Sequence, residues 1–320
     1  MRSAVLLLAL LLSAPPVLAG QTAAAQQNIV AGVRGLIAKE DFAAAERTVR
    51  AFIAEKGPTP EALEALSWLG RGALARKDLD EAQRFATETY GLALEALRSR
   101  GMDDEPRLPI AIGAAIEVQA HVMAQKGERS EAVHFLEREL EEYKNTSIRT
   151  RIQKNVHLLS LEGRPAPAYK VDEFVGARKP PTLASLKGKP VLMFFWAHWC
   201  PDCKNMASTL AELQAAYKDQ GLTIVAPTQR YGYVAKRAPA DPDAELAYIA
   251  QVVQESYGAV EWTVPVSNES FAAYGSSTTP TVVLVDREGI VRLYHPGQMK
   301  KEDLEPRIRA LVEGRATHER

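Results

Sequence analysis

Apolar residues are spaced in two different ways along this chain, and the change falls near its middle. From Gln27 to about Leu161 they recur at helical intervals among Ala, Leu, Glu and Arg, with almost no strand-type alternation and few prolines. Beyond Gly163-Arg164-Pro165-Ala166-Pro167-Ala168, short unbroken apolar runs take over, separated by turn residues. Two prolines in alternation cannot continue a helix, so 163–170 reads as a linker. An all-α domain over 20–162 and an α/β domain over 171–320 follow. In the second domain the pattern predicts a strand at 190–196, a helix at 201–219 and a strand at 222–227. A long excursion from Gln229 to Tyr257 comes next. Within it Asp241-Pro242 reads as an N-cap and a first-turn proline, with Leu246, Ile249, Ala250 and Val253 at helical spacing. Then come Val264-Pro265-Val266, a short helix over 270–274, and Val282 to Asp286. A turn at Arg287-Glu288-Gly289 leads into Ile290 to Tyr294 as a hairpin, and a last helix covers 301–313.

Three segments of the helical half look alike: Ala38-Lys39-Glu40-Asp41-Phe42-Ala43-Ala44-Ala45, Ala75-Arg76-Lys77-Asp78-Leu79-Asp80-Glu81-Ala82 and Ala124-Gln125-Lys126-Gly127-Glu128-Arg129-Ser130-Glu131-Ala132. Each reads as a turn between two helices. Ala45, Ala82 and Ala132 lie 37 and 50 residues apart, near one tetratricopeptide period of roughly 34 residues plus insertions. On these residues and on Leu69-Gly70 the segment resembles a tetratricopeptide array, in which small residues let paired helices approach. An irregular helical bundle is the alternative, because the stretch from Arg100 to Pro109 interrupts the register. Either form would dock a protein partner or the other domain. Leu66, Trp68, Leu69, Phe85, Leu92 and Leu97 read as core rather than binding surface.

With 39 basic against 40 acidic residues in 320, the chain carries no net field to attract nucleic acid or an acidic membrane surface. At the N-terminus, Met1-Arg2-Ser3, the apolar stretch Ala4 to Leu12 and the small-residue site Pro15-Pro16-Val17-Leu18-Ala19 read as a cleaved signal peptide over 1–19. The expectation is an exported protein, periplasmic or otherwise outside the cytoplasm. In such a compartment disulfides are the default, and a pair kept reduced implies a reducing partner.

The chain has only two cysteines, in Trp199-Cys200-Pro201-Asp202-Cys203, one helical turn apart. They follow the apolar run Val191-Leu192-Met193-Phe194-Phe195-Trp196 and precede a helix, so Cys200 falls at a helix N-terminus. There, free N–H groups and the helix dipole favour a thiolate. Thiol-disulfide exchange is the leading reading. A zinc site would need His198 and His295 to complete it. A structural disulfide closing so short a loop would stabilise little.

Lys187-Gly188-Lys189-Pro190, Phe195-Trp196-Ala197-His198-Trp199-Cys200-Pro201-Asp202-Cys203-Lys204, and Tyr274-Gly275 followed by Thr279-Pro280-Thr281 resemble a thioredoxin-fold domain of the TlpA/ResA-like branch of exported thiol-disulfide oxidoreductases. The resemblance covers about Val171 to Val312. It implies a mixed central sheet flanked by helices, and it implies roles. Cys200 attacks and forms a mixed disulfide with a protein client, and Cys203 resolves it. Pro280 is the family's cis-proline, which lets the Thr279 backbone pair with an extended client segment. Trp199, Pro201 and Asp202 tune or flank the couple, and Trp196 packs around the site or in the core. A membrane thiol donor supplies electrons; no cofactor or metal is called for.

Two positions depart from the family. Met206 stands where many members have a glutamate, and Phe194 where thioredoxin has a buried aspartate. His198 or Asp202 is a candidate substitute proton acceptor; otherwise His198 is an exposed loop residue. The branch favours a reductase. Proline after the first cysteine and the missing acids lean toward an oxidase or isomerase. A third alternative is an adapter whose thioredoxin-like domain has lost turnover.

Overall fold

A computed structural model describes residues 28–314; the signal-peptide reading at 1–19 lies outside the described residues. The helical half consists of α1 (Ile29–Ala38), α2 (Phe42–Lys56), α3 (Pro60–Ala75), α4 (Leu79–Leu97), α5 (Arg107–Gln125), α6 (Arg129–Glu142) and α7 (Arg149–Ser160). The three similar segments are alike in structure too. Each turn contains one residue at positive φ: Glu40 at 62°, Lys77 at 63° and Gly127 at 92°. In the first two, an aspartate one position on caps the next helix, Asp41 accepting from Ala44 N–H and Asp78 from Glu81 N–H. Ala45, Ala82 and Ala132 are fully buried, where larger side chains would hold the helix pairs apart. Alternate helices α1, α3, α5 and α7 form one side of the array, each packed on the next.

The second half is α/β. Its strands are β1 (Glu173–Val175), β2 (Val191–Phe195), β3 (Thr223–Val225), β4 (Val264–Val266), β5 (Thr281–Val285) and β6 (Val291–Pro296). The main sheet runs β3-β2-β5-β6, with β2 parallel to β3 and antiparallel to β5. The expected hairpin is β5–β6. A second ribbon pairs β1 with β4, which continues beside β3 through Ala226 N–H to Thr263 O and Thr228 N–H to Pro265 O. Its helices are α8 (Pro201–Asn205), α9 (Ala207–Tyr217), α10 (Pro242–Tyr257), α11 (Asn268–Ala273) and α12 (Lys301–Val312).

Side chains alternate across β2, and all of them are buried. Leu192, Phe194 and Trp196 face a core completed by α9, α10 and α12. Val191, Met193 and Phe195 face the other, where Phe271, Tyr274, Leu161 and Tyr169 pack. The segment expected as a linker therefore contributes to this core. It lies along the start of β6, with Gly163 N–H bonded to Val291 O and Ala166 N–H to Gly289 O. The helix expected at 201–219 is two helices, α8 and α9, joined at Met206. That residue is buried in the core, so the position of the family's glutamate is apolar here.

The two halves touch through α7. His157 Nε2 donates to Ala273 O at 2.8 Å, and Tyr294 N–H donates to Glu162 Oε1 at 3.0 Å. Gly275 has φ +59° and sits against α7 so closely that a Cβ would lie 2.6 Å from Lys154 Cα. Gly275→Ala is therefore expected to cost about 3 kcal/mol, from left-handed backbone strain plus backbone overlap with α7. Urea denaturation measures this. Cleavage near 161–170 should also quicken as α7 lifts, whereas unchanged stability would mean that the contact is dispensable.

Candidate active site

Cys200 is the N-cap of α8, and Pro201 occupies its first turn, where no N–H is needed. The two cysteines are joined as a disulfide with Cα atoms 5.3 Å apart, and Cys203 N–H points at Cys200 Sγ from 3.1 Å. That N–H would support a thiolate at Cys200 after reduction. The pair is set more deeply than an exposed helix N-terminus implies: Cys200 is only 2% exposed, while Trp199 beside it is 46% exposed. The peptide bond before Pro280 is cis, and Thr279 O lies 3.5 Å from Cys200 Sγ. The fold thus brings Cys200, Cys203, Thr279 and Pro280 together at one end of β2 and β5. Gly275, docked on α7, lies a few residues before this cis-proline turn.

Trp196 is fully buried, with its indole N–H on Ala226 O at 3.1 Å and its ring stacked on Trp262. It shares one buried cluster with Cys200 and Cys203, so it packs in the core and beside the pair at once. Asp202 faces solvent in the first turn of α8. Among the described residues, no carboxylate or imidazole is hydrogen-bonded to either sulfur.

His198 is not an exposed loop residue. It is 1% exposed, and its Nε2 lies 3.1 Å from Glu245 Oε1. A carboxylate can only accept, so Nε2 carries the proton. Glu245, on α10, also takes Tyr231 N–H on Oε1 at 2.6 Å and Gly232 N–H on Oε2 at 2.9 Å. One buried carboxylate therefore ties the cysteine loop, the 229–241 excursion and α10 together. Tyr231, Tyr233 and Tyr248 present edges around the imidazole, and Tyr231 also meets the exposed Trp199 ring edge-on at 5.5 Å. Glu245 was missed by the sequence reading, which picked out Leu246, Ile249, Ala250 and Val253 at helical spacing; the buried residues of α10 are Glu245, Ile249, Val252 and Tyr257, with Val253 partly buried against the same core.

Burial pushes the His198 pKa below its usual 6.5, opposed by the Glu245 hydrogen bond and charge. Burial also lowers that of His157, opposed by its bond to Ala273 O. Folding thus favours the neutral form of both. Below about pH 6.5 the unfolded chain binds more protons than the folded one, so stability is full above that pH and falls as pH drops through it. The expected slope approaches about 1.4 kcal/mol per pH unit for each histidine. Urea midpoints between pH 7.5 and 5.5 check this, and His157→Gln should remove part of the slope.

Residues 177–311 match the family model described as the thioredoxin-like domain. The C-terminal half therefore carries a thioredoxin-like domain similar to thiol-disulfide oxidoreductases of the ResA type, with a Cys-x-x-Cys pair at Cys200 and Cys203. Among its relatives, the thiol-disulfide oxidoreductase ResA of Bacillus thuringiensis is 27% identical over 150 residues, 47% of this chain and 78% of the relative. The thioredoxin-like protein YneN of Bacillus subtilis is 24% identical over 148 residues, 46% of this chain and 78% of the relative. Among solved structures, a secreted Mycobacterium tuberculosis disulfide oxidoreductase homologous to E. coli DsbE is 26% identical, with a TM-score of 0.32, covering 40% of this chain and 86% of that one.

Proposed function

We propose that this protein is an exported reductase of protein disulfides. Cys200 attacks a client disulfide, Cys203 displaces the client thiol, and a membrane thiol donor restores the dithiol. Electrons balance: the client disulfide gains two, and the Cys200–Cys203 dithiol loses two as its own disulfide forms. Export rests on the signal-peptide pattern at 1–19. The helical half serves as the docking element for a partner, whether or not it is a true tetratricopeptide array.

The observation that carries the reductase direction is the setting of the sulfurs. Strong oxidants of this kind owe their potential to a stabilised reduced form with a low-pKa thiolate. Here both sulfurs are buried among apolar side chains. Among the described residues, Cys203 N–H is the one hydrogen-bond donor directed at Cys200 Sγ, and no cationic side chain bonds to it. Burial opposes the support that the helix N-terminus and the Cys203 N–H give a thiolate, and no cationic partner adds to that support. The direct test is paired assays on the full-length protein. With low dithiothreitol as donor, it should speed the reduction of insulin; with glutathione disulfide, it should be slow to oxidise reduced ribonuclease. Faster oxidation than reduction would contradict the proposal.

A further inference from the structure

The helical half contains a cationic site that nothing in the thiol chemistry uses. Arg34 on α1 and Arg71 on α3 both lie over the Trp68 indole, their guanidinium carbons 4.5 and 4.6 Å from the ring centroid. Among the described residues neither guanidinium has a carboxylate partner. The nearby acids are taken: Glu64 by Arg107 at 2.8 Å, and Glu117 by Arg151 at 3.1 Å and Lys154 at 3.0 Å. Arg71 Nε and Trp68 Nε1 are buried N–H donors without an acceptor. Burial, with Arg151 next in importance, brings the Arg71 pKa down to about 10. Two like charges on one ring and two orphaned donors are each unfavourable for folding. Arg34 is exposed and Arg71 half-buried, so an anion from outside meets their outer guanidinium nitrogens rather than the two buried N–H groups.

The donors define the ligand. Guanidinium forks match planar carboxylates in a bidentate way. Chain-terminal carboxylates are captured by nests of free backbone N–H groups, and the interior of a helix such as α3 offers none. The site lies on the run of helices α1, α3, α5 and α7, each packed on the next, and α7 abuts the segment that leads to the cis-proline turn. We infer that Arg71, Arg34 and Trp68 form a binding site for acidic side chains of an extended segment of a partner protein. This inference is independent of the direction in which the cysteine pair runs.

The test uses the full-length protein and fluorescence anisotropy of a labelled oligoglutamate peptide with an amidated C-terminus, at low salt. The wild type should bind it, and added salt should weaken binding. Arg71→Gln should weaken it about 10-fold or more, the loss of a charge-assisted bond. Arg34→Gln should weaken it several-fold, and Arg34 is exposed, so that variant should fold normally. Both variants should keep wild-type turnover of a small disulfide. No binding, or binding that neither variant changes, would overturn the inference. Citrate binding as tightly as the peptide would indicate a small-anion site and overturn it as well. So would equal binding of a neutral peptide with a free C-terminus, which would point to chain ends.

Discussion

Cys200→Ser is expected to abolish thiol-disulfide exchange, by on the order of 10³-fold or more, because serine offers no accessible anion at neutral pH and cannot form the mixed disulfide. Cys203→Ser should behave differently. Its Cys200 can still attack, yet the resolving thiol is gone, so a Cys200–client mixed disulfide should accumulate. Non-reducing gels of the two variants, incubated with a disulfide-bonded protein, separate the roles. A covalent adduct in Cys203→Ser and none in Cys200→Ser is the expected pair of results. An adduct through Cys203 instead would reverse the assignment, although Cys203 is fully buried and Cys200 is 2% exposed.

Glu245→Ala should be the most damaging substitution away from the cysteines, at about 4 kcal/mol of stability. It leaves three donors without their acceptor: His198 Nε2–H, Tyr231 N–H and Gly232 N–H. A buried orphaned donor costs about 1–3 kcal/mol, and water entering the space limits the sum. Glu245→Gln should cost about half as much, because its single carbonyl oxygen still accepts while its amide faces other donors. Loss of this tether also frees the 229–241 excursion from the cysteine loop. The Trp199–Tyr231 contact should loosen, and KM for a protein client should rise more than kcat falls. Urea denaturation and steady-state kinetics measure the two effects. Wild-type stability in Glu245→Ala would remove the tether from the account.

Much of the candidate site was legible because it is local in sequence. A buried apolar run followed by Trp-Cys-Pro-Asp-Cys marks a strand, a turn and a helix N-terminus within a few residues, and β2, Cys200 and α8 fall there. Thr279-Pro280-Thr281 likewise carries its cis bond in three residues. The turns of the helical half were readable from the three look-alike segments, and the left-handed residues at 40, 77 and 127 fall within them. Glu245 was not legible, since its partner His198 is 47 residues away and a glutamate in an amphipathic helix is ordinarily solvated. The inner face of α10 keeps the expected Ile249 and widens to take in Glu245, Val252 and Tyr257. The fit of Gly275 on α7 was hidden for the same reason: it depends on residues distant in sequence. The break at Met206 leaves no trace in periodicity, because apolar positions continue through it.

The most direct measurement is an equilibrium titration of the Cys200–Cys203 pair in thiol/disulfide buffers, followed by tryptophan fluorescence, since Trp196 and Trp199 closely precede the pair in sequence. The account predicts one reversible two-electron transition with a midpoint at or below about −230 mV. A midpoint near about −150 mV would contradict the reductase direction, and no reversible transition would contradict thiol-disulfide exchange itself.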